Sequence, residues 1–135
     1  MEAKERCPIC GDGVLTVHVD QMPAEYNDVK GHIASHYSIC NKCGSEQAGT
    51  EQLRRNKRAM IAFKKQASGL LSGEQVRQVR LQLKLSQKEA AEIFGGGPVA
   101  FSKYENDDVM QSEAMDKLLR VVQFRPDTLK ILRPA

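Results

Sequence analysis

The chain has 135 residues, of which 27% are charged, and its formal net charge is only +3. This length accommodates one ordinary domain or two small ones, and the weak net charge does not by itself indicate a nucleic-acid-binding protein. Aromatic residues make up only 5% of the chain, so we expect small apolar cores. Small cores usually need additional stabilisation, such as a bound metal ion. No apolar run is long enough to span a bilayer, and the N-terminal MEAKERCPIC lacks the apolar region of a signal peptide. We therefore expect a cytoplasmic protein without membrane contact.

The charge is unevenly distributed along the chain. Residues 1–49 carry a net charge of −3, residues 50–71 carry +5 and residues 72–135 carry +1. An acidic first part, a basic connection and a nearly neutral last part suggest regions with different partners.

Two matched cysteine pairs stand in the acidic part, CPICG at residues 7–11 and CNKCG at residues 40–44. The two-residue spacing lets both sulfurs of a pair reach one ion, and each glycine permits the tight turn that points backbone N–H groups at the thiolates. Four thiolates favour Zn²⁺ in a closed structural site. The sequence therefore predicts one structural zinc ion per chain. Its predicted ligands are Cys7, Cys10, Cys40 and Cys43.

Other metal chemistries compete with structural zinc. The CPxCG motif also occurs in rubredoxin-like iron sites, whereas a redox CxxC pair is disfavoured because two matched pairs imply one shared site. A catalytic zinc is disfavoured because four cysteines leave no position for water. His18, His32 and His36 are available as spare ligands, but we interpret them as surface or half-buried strand residues.

The 29 residues between the pairs exceed the usual zinc-ribbon spacing and fit a ribbon with an extra strand or hairpin. Residues 14–19 and 33–39 have the apolar content of two β-strands. Met22-Pro23 and Asn27-Asp28 are predicted to be turns.

A basic connection follows the second cysteine pair. Thr50 is a plausible N-cap, and residues 51–66 are helical in composition. Six basic residues make this helix strongly charged: Arg54, Arg55, Lys57, Arg58, Lys64 and Lys65. It is either a solvated connector packed on the ribbon or a segment that lies near DNA phosphates or an acidic partner. Residues 66–73, QASGLLSG, are predicted to be a hinge.

The remaining sequence predicts five helices. A capping box of Ser72 and Gln75 begins the first, which we expect to end near Leu85. Ser112 caps a later helix, and Pro126 begins a last short one. The apolar residues of that last helix, Leu129, Ile131 and Leu132, are candidates for a dimer contact.

The stretch from Ser86 to Asn106, SQKEAAEIFGGGPVAFSKYEN, predicts two short helices joined by a tight turn. Ser86 and Glu89 form a capping box, three glycines supply the turn, and Pro98 suits the first turn of the second helix. That second helix has two faces. Ala100, Phe101 and Tyr104 share the apolar one, whereas Val99, Ser102, Lys103 and Asn106 face outward. A helix–turn–helix needs this division, but an ordinary helical hairpin has it too.

The sequence LSQKEAAEIFGGG followed by AFSKYE resembles the helix–turn–helix of the lambda-repressor/Cro class, and more closely that of the MqsA antitoxin family. With the two CxxCG motifs and the connector helix, the resemblance covers nearly the whole chain. It implies an α+β fold in which a small zinc-ribbon β domain and connector helix (1–68) precede an all-α, five-helix repressor-type domain (69–135). It also implies dimerisation through the C-terminal domain, binding of a small ribonuclease toxin mainly by the N-terminal domain, and repression of its own operon at a palindromic DNA operator.

The resemblance carries over to DNA contacts only in part. An asparagine and an arginine read bases in that family, and here the matching positions hold Val99 and Lys103. Lys103 keeps the charge but not the planar fork that grips guanine, and Val99 offers a contact only to a thymine methyl group. Gln87 matches a position that commonly contacts phosphate, and Ser102 and Asn106 are helpers on the same face. We therefore expect an operator with a different sequence.

Other functions remain as alternatives at the level of sequence. One is a stand-alone zinc-stapled regulator without a toxin, and another is a rubredoxin-like electron carrier. An enzyme is disfavoured because the sequence has no Ser/His/Asp set, no open metal site and no P-loop.

Overall fold

A computed structural model describes residues 5–133 of the chain. These residues form a three-stranded antiparallel sheet followed by six α-helices, which confirms the predicted α+β class. The chain divides into two compact units, one that reaches to Met60 and one that begins at Ile61. The functional division into residues 1–68 and 69–135 stays a prediction, and residues 1–4 and 134–135 lie outside the described range.

The sheet is dominated by one long hairpin. Strand β1 (Leu15–Tyr26) pairs along its whole length with β2 (Val29–Cys40), and the short strand β3 (Glu46–Gln47) pairs with the end of β2. The hairpin turn is Asn27-Asp28, where both residues have positive φ, 50° and 63°. Asparagine and aspartate tolerate this backbone, which suits the twist of a two-residue hairpin turn. The turn and the extra hairpin between the cysteine pairs are therefore confirmed.

The turn predicted at Met22-Pro23 is wrong, because both residues lie inside β1. Pro23 stands opposite His32 in the hairpin. Proline removes a backbone donor, but β1 is an edge strand of the sheet, and edge strands tolerate such a loss.

Helix α1 (Thr50–Ala67) begins at Thr50 itself rather than after it. Its first turns are joined to β2 by polar contacts. The Gln52 side chain donates to the Ser38 hydroxyl at 2.9 Å, and the Asn56 amide exchanges two hydrogen bonds with the His36 backbone, at 2.7 and 3.0 Å. These bonds satisfy the strand backbone and fix the helix against β2.

The second unit contains the five predicted helical segments. They are α2 (Gly73–Gln82), α3 (Gln87–Phe94), α4 (Ala100–Glu105), α5 (Glu113–Phe124), and a 3₁₀ turn (Pro126–Thr128) that leads into α6 (Leu129–Leu132). Both predicted capping boxes are present, and the Ser112 hydroxyl accepts from the Met115 N–H. Helix α2 ends before Leu85, because Lys84 takes a left-handed backbone with φ 58°.

One contiguous apolar core holds these helices together. Its twelve buried members come from the α1–α2 loop and from α2 to α6: Leu71, Val76, Val79, Leu85, Ala90, Ala91, Phe94, Ala100, Phe101, Leu119, Val122 and Leu129. Leu129 is buried in this core, and Leu132 packs against it. Of the three residues predicted to form a dimer contact, only Ile131 is exposed.

Candidate metal centre and nucleic-acid interface

The four predicted cysteines converge at the base of the hairpin. Their Sγ atoms all lie within 4.8 Å of one another, and none of the three histidines belongs to the cluster. Cys7 and Cys40 are buried, whereas Cys10 and Cys43 lie at the surface. The fold thus assembles one site from two pairs that are far apart in sequence.

The sulfur separations fit a tetrahedral ion. Cys7 Sγ and Cys43 Sγ are 3.8 Å apart, and Cys10 Sγ and Cys40 Sγ are 3.6 Å apart. Zn–S bonds of about 2.3 Å place the sulfurs of a tetrahedral site about 3.8 Å apart. These distances are much longer than the ~2.05 Å of a disulfide bond, so the cysteines are not paired as disulfides and could together hold a metal ion.

The two cysteine turns have the same local geometry. The Gly11 N–H donates to the Cys7 carbonyl at 3.0 Å, and the Gly44 N–H donates to the Cys40 carbonyl at 3.2 Å. Both glycines have positive φ, 77° and 71°, which a residue with a Cβ adopts only with strain. The glycine after each cysteine pair is therefore required by its turn.

Hydrogen bonds favour the thiolate form at two of the sulfurs. The backbone N–H of Cys10 is the main cause that lowers the pKa of the Cys7 thiol, to about 6, against the opposing effect of burial. Hydrogen bonding to Ser45 lowers the pKa of Cys43. At Cys40 the Cys43 N–H acts to lower the pKa, but burial and the neighbouring thiols raise it overall. Since thiolates are the metal-binding form, donors at these sulfurs support ligation.

Gly13 is a residue of this site that the sequence analysis missed. A Cβ built there would lie 2.1 Å from Cys40 Sγ, so any side chain would collide with a ligand atom. The Gly13 N–H also donates to Cys10 Sγ at 3.3 Å. The only sequence signal is a second glycine after the first cysteine pair.

The two predicted short helices and the tight turn between them are present as α3, a glycine turn and α4. Gly95, Gly96 and Gly97 all have φ between 91° and 99°, so every residue of the turn uses the freedom of glycine. Pro98 does not lie in the first turn of α4. It precedes Val99, which is the N-cap, and the Ala100 N–H bonds back to the Gly97 carbonyl. Two turn residues therefore separate the glycines from the helix.

The two faces of α4 are as predicted. Ala100 and Phe101 are buried, and the Phe101 ring meets Phe94 and Tyr104 at centroid distances of 5.8 and 5.6 Å. On the opposite side Val99 is 56% exposed.

Three more predicted contact residues share that outer side. Lys103 and Asn106 are exposed, Ser102 is half-buried, and the Asn106 amide reaches the Ser102 hydroxyl at 3.5 Å. Gln87, the first residue of α3, is half-buried. The DNA contacts assigned to these residues stay predictions.

The C-terminal end of α4 is anchored by residues whose role the sequence did not reveal. Arg80 makes a two-pronged ion pair with Glu105, Nε–Oε2 and Nη2–Oε1 both 2.8 Å, and the pair raises the pKa of the arginine. A Cβ on Gly73 would lie 2.4 Å from the Glu105 carbonyl oxygen, so only glycine allows α2 to start there. Lys65, predicted to be part of a charged helix face, is instead fully buried and bonded to Tyr104 and Asp107.

The segment predicted to be a hinge, residues 66–73, is held by side chains from α5 and the residues before it. The Leu71 N–H donates to Asp116 Oδ1 at 2.7 Å, and the Gln111 amide donates to the Leu71 carbonyl at 2.8 Å. Arg120 bonds both Asp116 Oδ2 and the Gly69 carbonyl, each at 2.8 Å. Glycine and serine content indicated mobility here, but buried polar contacts fix this backbone.

Sequence comparisons assign the class of protein to which this combination belongs. Residues 5–133 match the family described as the antitoxin component of bacterial toxin–antitoxin systems, MqsA. The chain is also 31% identical over 130 residues to Antitoxin MqsA of Escherichia coli (strain K12), a match that covers 95% of this chain and 99% of that protein.

The chain therefore belongs to the MqsA antitoxin family, and the resemblance stated from its motifs is confirmed. This membership supports a regulatory protein rather than an enzyme. Among the described residues, no helix is both long and apolar enough to cross a membrane.

Proposed function

We propose that this antitoxin neutralises a small ribonuclease toxin through its N-terminal metal-binding unit and represses its own operon as a dimer bound to a palindromic operator. One observation carries the DNA-binding part. Helix α4 buries an apolar face in the core and leaves Val99, Lys103 and Asn106 open to solvent, as a recognition helix requires.

The outer side of α4 supports specific roles. We assign Lys103 to a base edge and Val99 to a thymine methyl group in the major groove. Gln87, at the start of α3, is assigned to a phosphate because backbone N–H groups at a helix N-terminus favour an anion beside it. Ser102 and Asn106, which reach each other, complete the proposed surface.

We assign the ion of the cysteine cluster as one structural Zn²⁺. Four cysteines with sulfur separations near 3.7 Å, and no further described ligand, fit a closed tetrahedral zinc site. Cysteines arranged as ligands rather than as disulfides are typical of a reducing compartment, so we propose the cytoplasm.

The hairpin offers a surface for the toxin. Strand β1 is an edge strand, and Val17 and Val19 on it are more than half exposed. An exposed apolar edge strand is a template for pairing with another chain, so it supports a protein partner at this unit.

Dimerisation is assigned to the end of the second unit. Val121 and Phe124 lie three residues apart on α5 and are 53% and 85% exposed, and Ile131 on α6 is 82% exposed. Large apolar residues this exposed support an interface between copies. A dimer would read half-sites about 34 Å apart or a multiple of that distance.

The antitoxin role is tested by co-expression with the small open reading frame that neighbours this gene. We expect the neighbour alone to arrest growth, and this chain to relieve the arrest and to purify with it. A Val17→Asp/Val19→Asp variant should lose the complex, whereas Lys117→Asp, on an exposed site of α5, should keep it. A neighbour without toxicity or complex would leave a stand-alone zinc-stapled regulator.

The repressor role is tested with a duplex from immediately upstream of the gene. Affinity should fall by roughly 10³-fold or more between 50 and 200 mM salt, because phosphate contacts dominate binding. Lys103→Ala should weaken preference for this duplex over a scrambled one by about 1–3 kcal/mol, with Lys117→Ala as the control for lost charge. An unchanged preference removes Lys103 from the reading surface.

A further inference from the structure

Helix α4 is too short to hold its own orientation. It has six residues, and its N-cap, Val99, makes no side-chain cap. Helices of this length are unstable in isolation because nucleation fixes several residues for few hydrogen bonds. Contacts from the rest of the unit must therefore set the direction in which its outer residues point.

Lys65 supplies such a contact at the C-terminal end of α4. Its side chain is fully buried, and Nζ donates to the Tyr104 carbonyl at 2.8 Å and to Asp107 Oδ1 at 2.9 Å. The last carbonyls of a helix lack intrahelical partners and carry partial negative charge. A cation at this position is therefore favourable, and Asp107, with φ 59°, turns the chain out of the helix beside it.

The choice of a charged residue here is informative. Desolvating an ammonium is unfavourable, and an apolar side chain of similar length would fill the same space. The ammonium adds direction, because its bonds to a carbonyl and a carboxylate form in one orientation of α4. The residue bonded by Lys65, Tyr104, directly follows Lys103 of the outer side.

We propose that Lys65 is a positioning residue for DNA recognition, which fixes the end of α4 so that Lys103 and Asn106 meet the base edges in register. The inference rests on the DNA-binding function proposed above. Lys65 acts through α4 and does not itself touch DNA, since its ammonium is enclosed by protein.

The test compares Lys65→Met, which keeps the length of the stem and removes the ammonium, with Lys117→Met, which removes an exposed lysine from a surface pair. Each protein is titrated with the upstream duplex and with a scrambled duplex of equal composition over a salt series. For Lys65→Met we expect the ratio of specific to non-specific affinity to fall about tenfold, the scale of one base contact, with an unchanged salt slope. Lys117→Met should leave the ratio unchanged.

Two outcomes overturn the proposal. An unchanged ratio in Lys65→Met means that α4 is positioned without the ammonium. An equal loss on both duplexes, with a salt slope reduced by about one, means that Lys65 contacts a phosphate.

A second variant and a DNA-free measurement keep the test decisive. Asp107→Gly removes the acceptor oxygen for Lys65 and tolerates the left-handed backbone, so it should fold and lose part of the ratio. If Lys65→Met does not fold, an unchanged ratio in Asp107→Gly overturns the proposal. In folded Lys65→Met, amides of α4 should exchange hydrogen at least about tenfold faster than in Lys117→Met, and equal exchange overturns the proposal.

A wild-type chain that does not distinguish the two duplexes contradicts the proposed repressor function instead. The exchange result still tests whether Lys65 positions α4.

Discussion

The two units of this chain reach a stable fold by different means. Among the described residues of the first unit, the buried apolar side chains other than cysteine are Ala24 and Ile33. The second unit buries twelve residues in one contiguous core. Burial of apolar area is the dominant stabilising term in folding, so the first unit needs another source of free energy.

The zinc ion that we propose for the cysteine cluster would provide that source. Structural zinc sites in small domains bind with apparent free energies of about 10–16 kcal/mol, which is more than a small apolar core contributes. The cluster also joins the segment before β1 to the end of β2. A bound metal would thus replace an apolar core where the sequence is poor in apolar residues, and each unit should then unfold under a different perturbation.

Metal removal should give the largest effect. A chelator should unfold the first unit, because about 10–16 kcal/mol of apparent binding free energy is lost. Hydrogen exchange read by mass spectrometry should show deprotection of β1 and β2, while α2 and α5 stay protected. Added Zn²⁺ should restore the pattern. Protection of the hairpin that survives chelation would show that its few apolar contacts suffice.

Truncation of Phe101 should have the opposite selectivity. Phe101→Ala removes a buried ring from the core of the second unit and should cost about 3–5 kcal/mol of unfolding free energy. Val99→Ala, at the exposed start of the same helix, should change it by less than about 0.5 kcal/mol. Urea unfolding measures both variants. Equal midpoints for the two would mean that the core is not the source of stability.

A side chain at Gly13 should damage only the first unit. Gly13→Ala brings a Cβ within 2.1 Å of Cys40 Sγ, so we expect metal affinity to fall by about 1–3 kcal/mol, the scale of an overpacked site. Gly49→Ala is the matched control, since its nearest contact would be an ordinary 3.9 Å. Competition with a chromogenic chelator measures the affinity, and identical values for both variants would contradict the close approach.

Acid should weaken the second unit through Asp116. Burial acts to raise its pKa, but the Leu71 N–H, Arg120 and Gln111 stabilise the carboxylate and lower the pKa overall. Because the folded pKa lies below the unfolded value of about 3.9, this stabilisation is fully present above that pH and disappears as pH falls through the folded pKa.

Asp116→Asn should therefore be less stable than wild type at neutral pH, and the difference should shrink below about pH 4. Asp127→Asn, in an exposed pair, should leave the pH profile unchanged. Urea midpoints at several pH values measure both variants. A constant difference between Asp116→Asn and wild type would mean that the charge of Asp116 is not what holds the loop.

The sequence revealed the features that depend on local pattern. Cysteine spacing predicted that the four cysteines form one cluster that could hold a metal ion. Asn27-Asp28 predicted the hairpin turn, and two capping boxes predicted the starts of α2 and α3. Each of these signals lies within a few residues of the structure that it specifies. The family match covers residues 5–133, so it spans both the part with the cysteine pairs and the helical part that follows it.

The misses with the largest effect on the predicted surface involve contacts between residues far apart in sequence. Composition placed Lys65 on a basic helix face, either solvated or near DNA phosphates or an acidic partner, but its partners lie 39 and 42 residues later in the chain. Residues 66–73 have the composition of a hinge, yet Asp116 and Gln111, which lie 45 and 40 residues after Leu71, hold them in place. Pro23 signals a turn locally, and only the edge position of β1 explains why it stays in a strand. No local pattern reports such partners.

The buried end of α1 has a consequence for protein engineering. In a chimera of two related antitoxins, the C-terminal part of one, which we propose binds DNA, is fused to the N-terminal part of the other. The sequence predicts a domain boundary at residues 68/69, but a junction there would separate Lys65 from Tyr104 and Asp107. These two residues would then face whichever residue the other antitoxin has at position 65. A junction before Ile61 transfers the lysine together with its partners. The segment to transfer for the proposed operator recognition therefore begins inside helix α1.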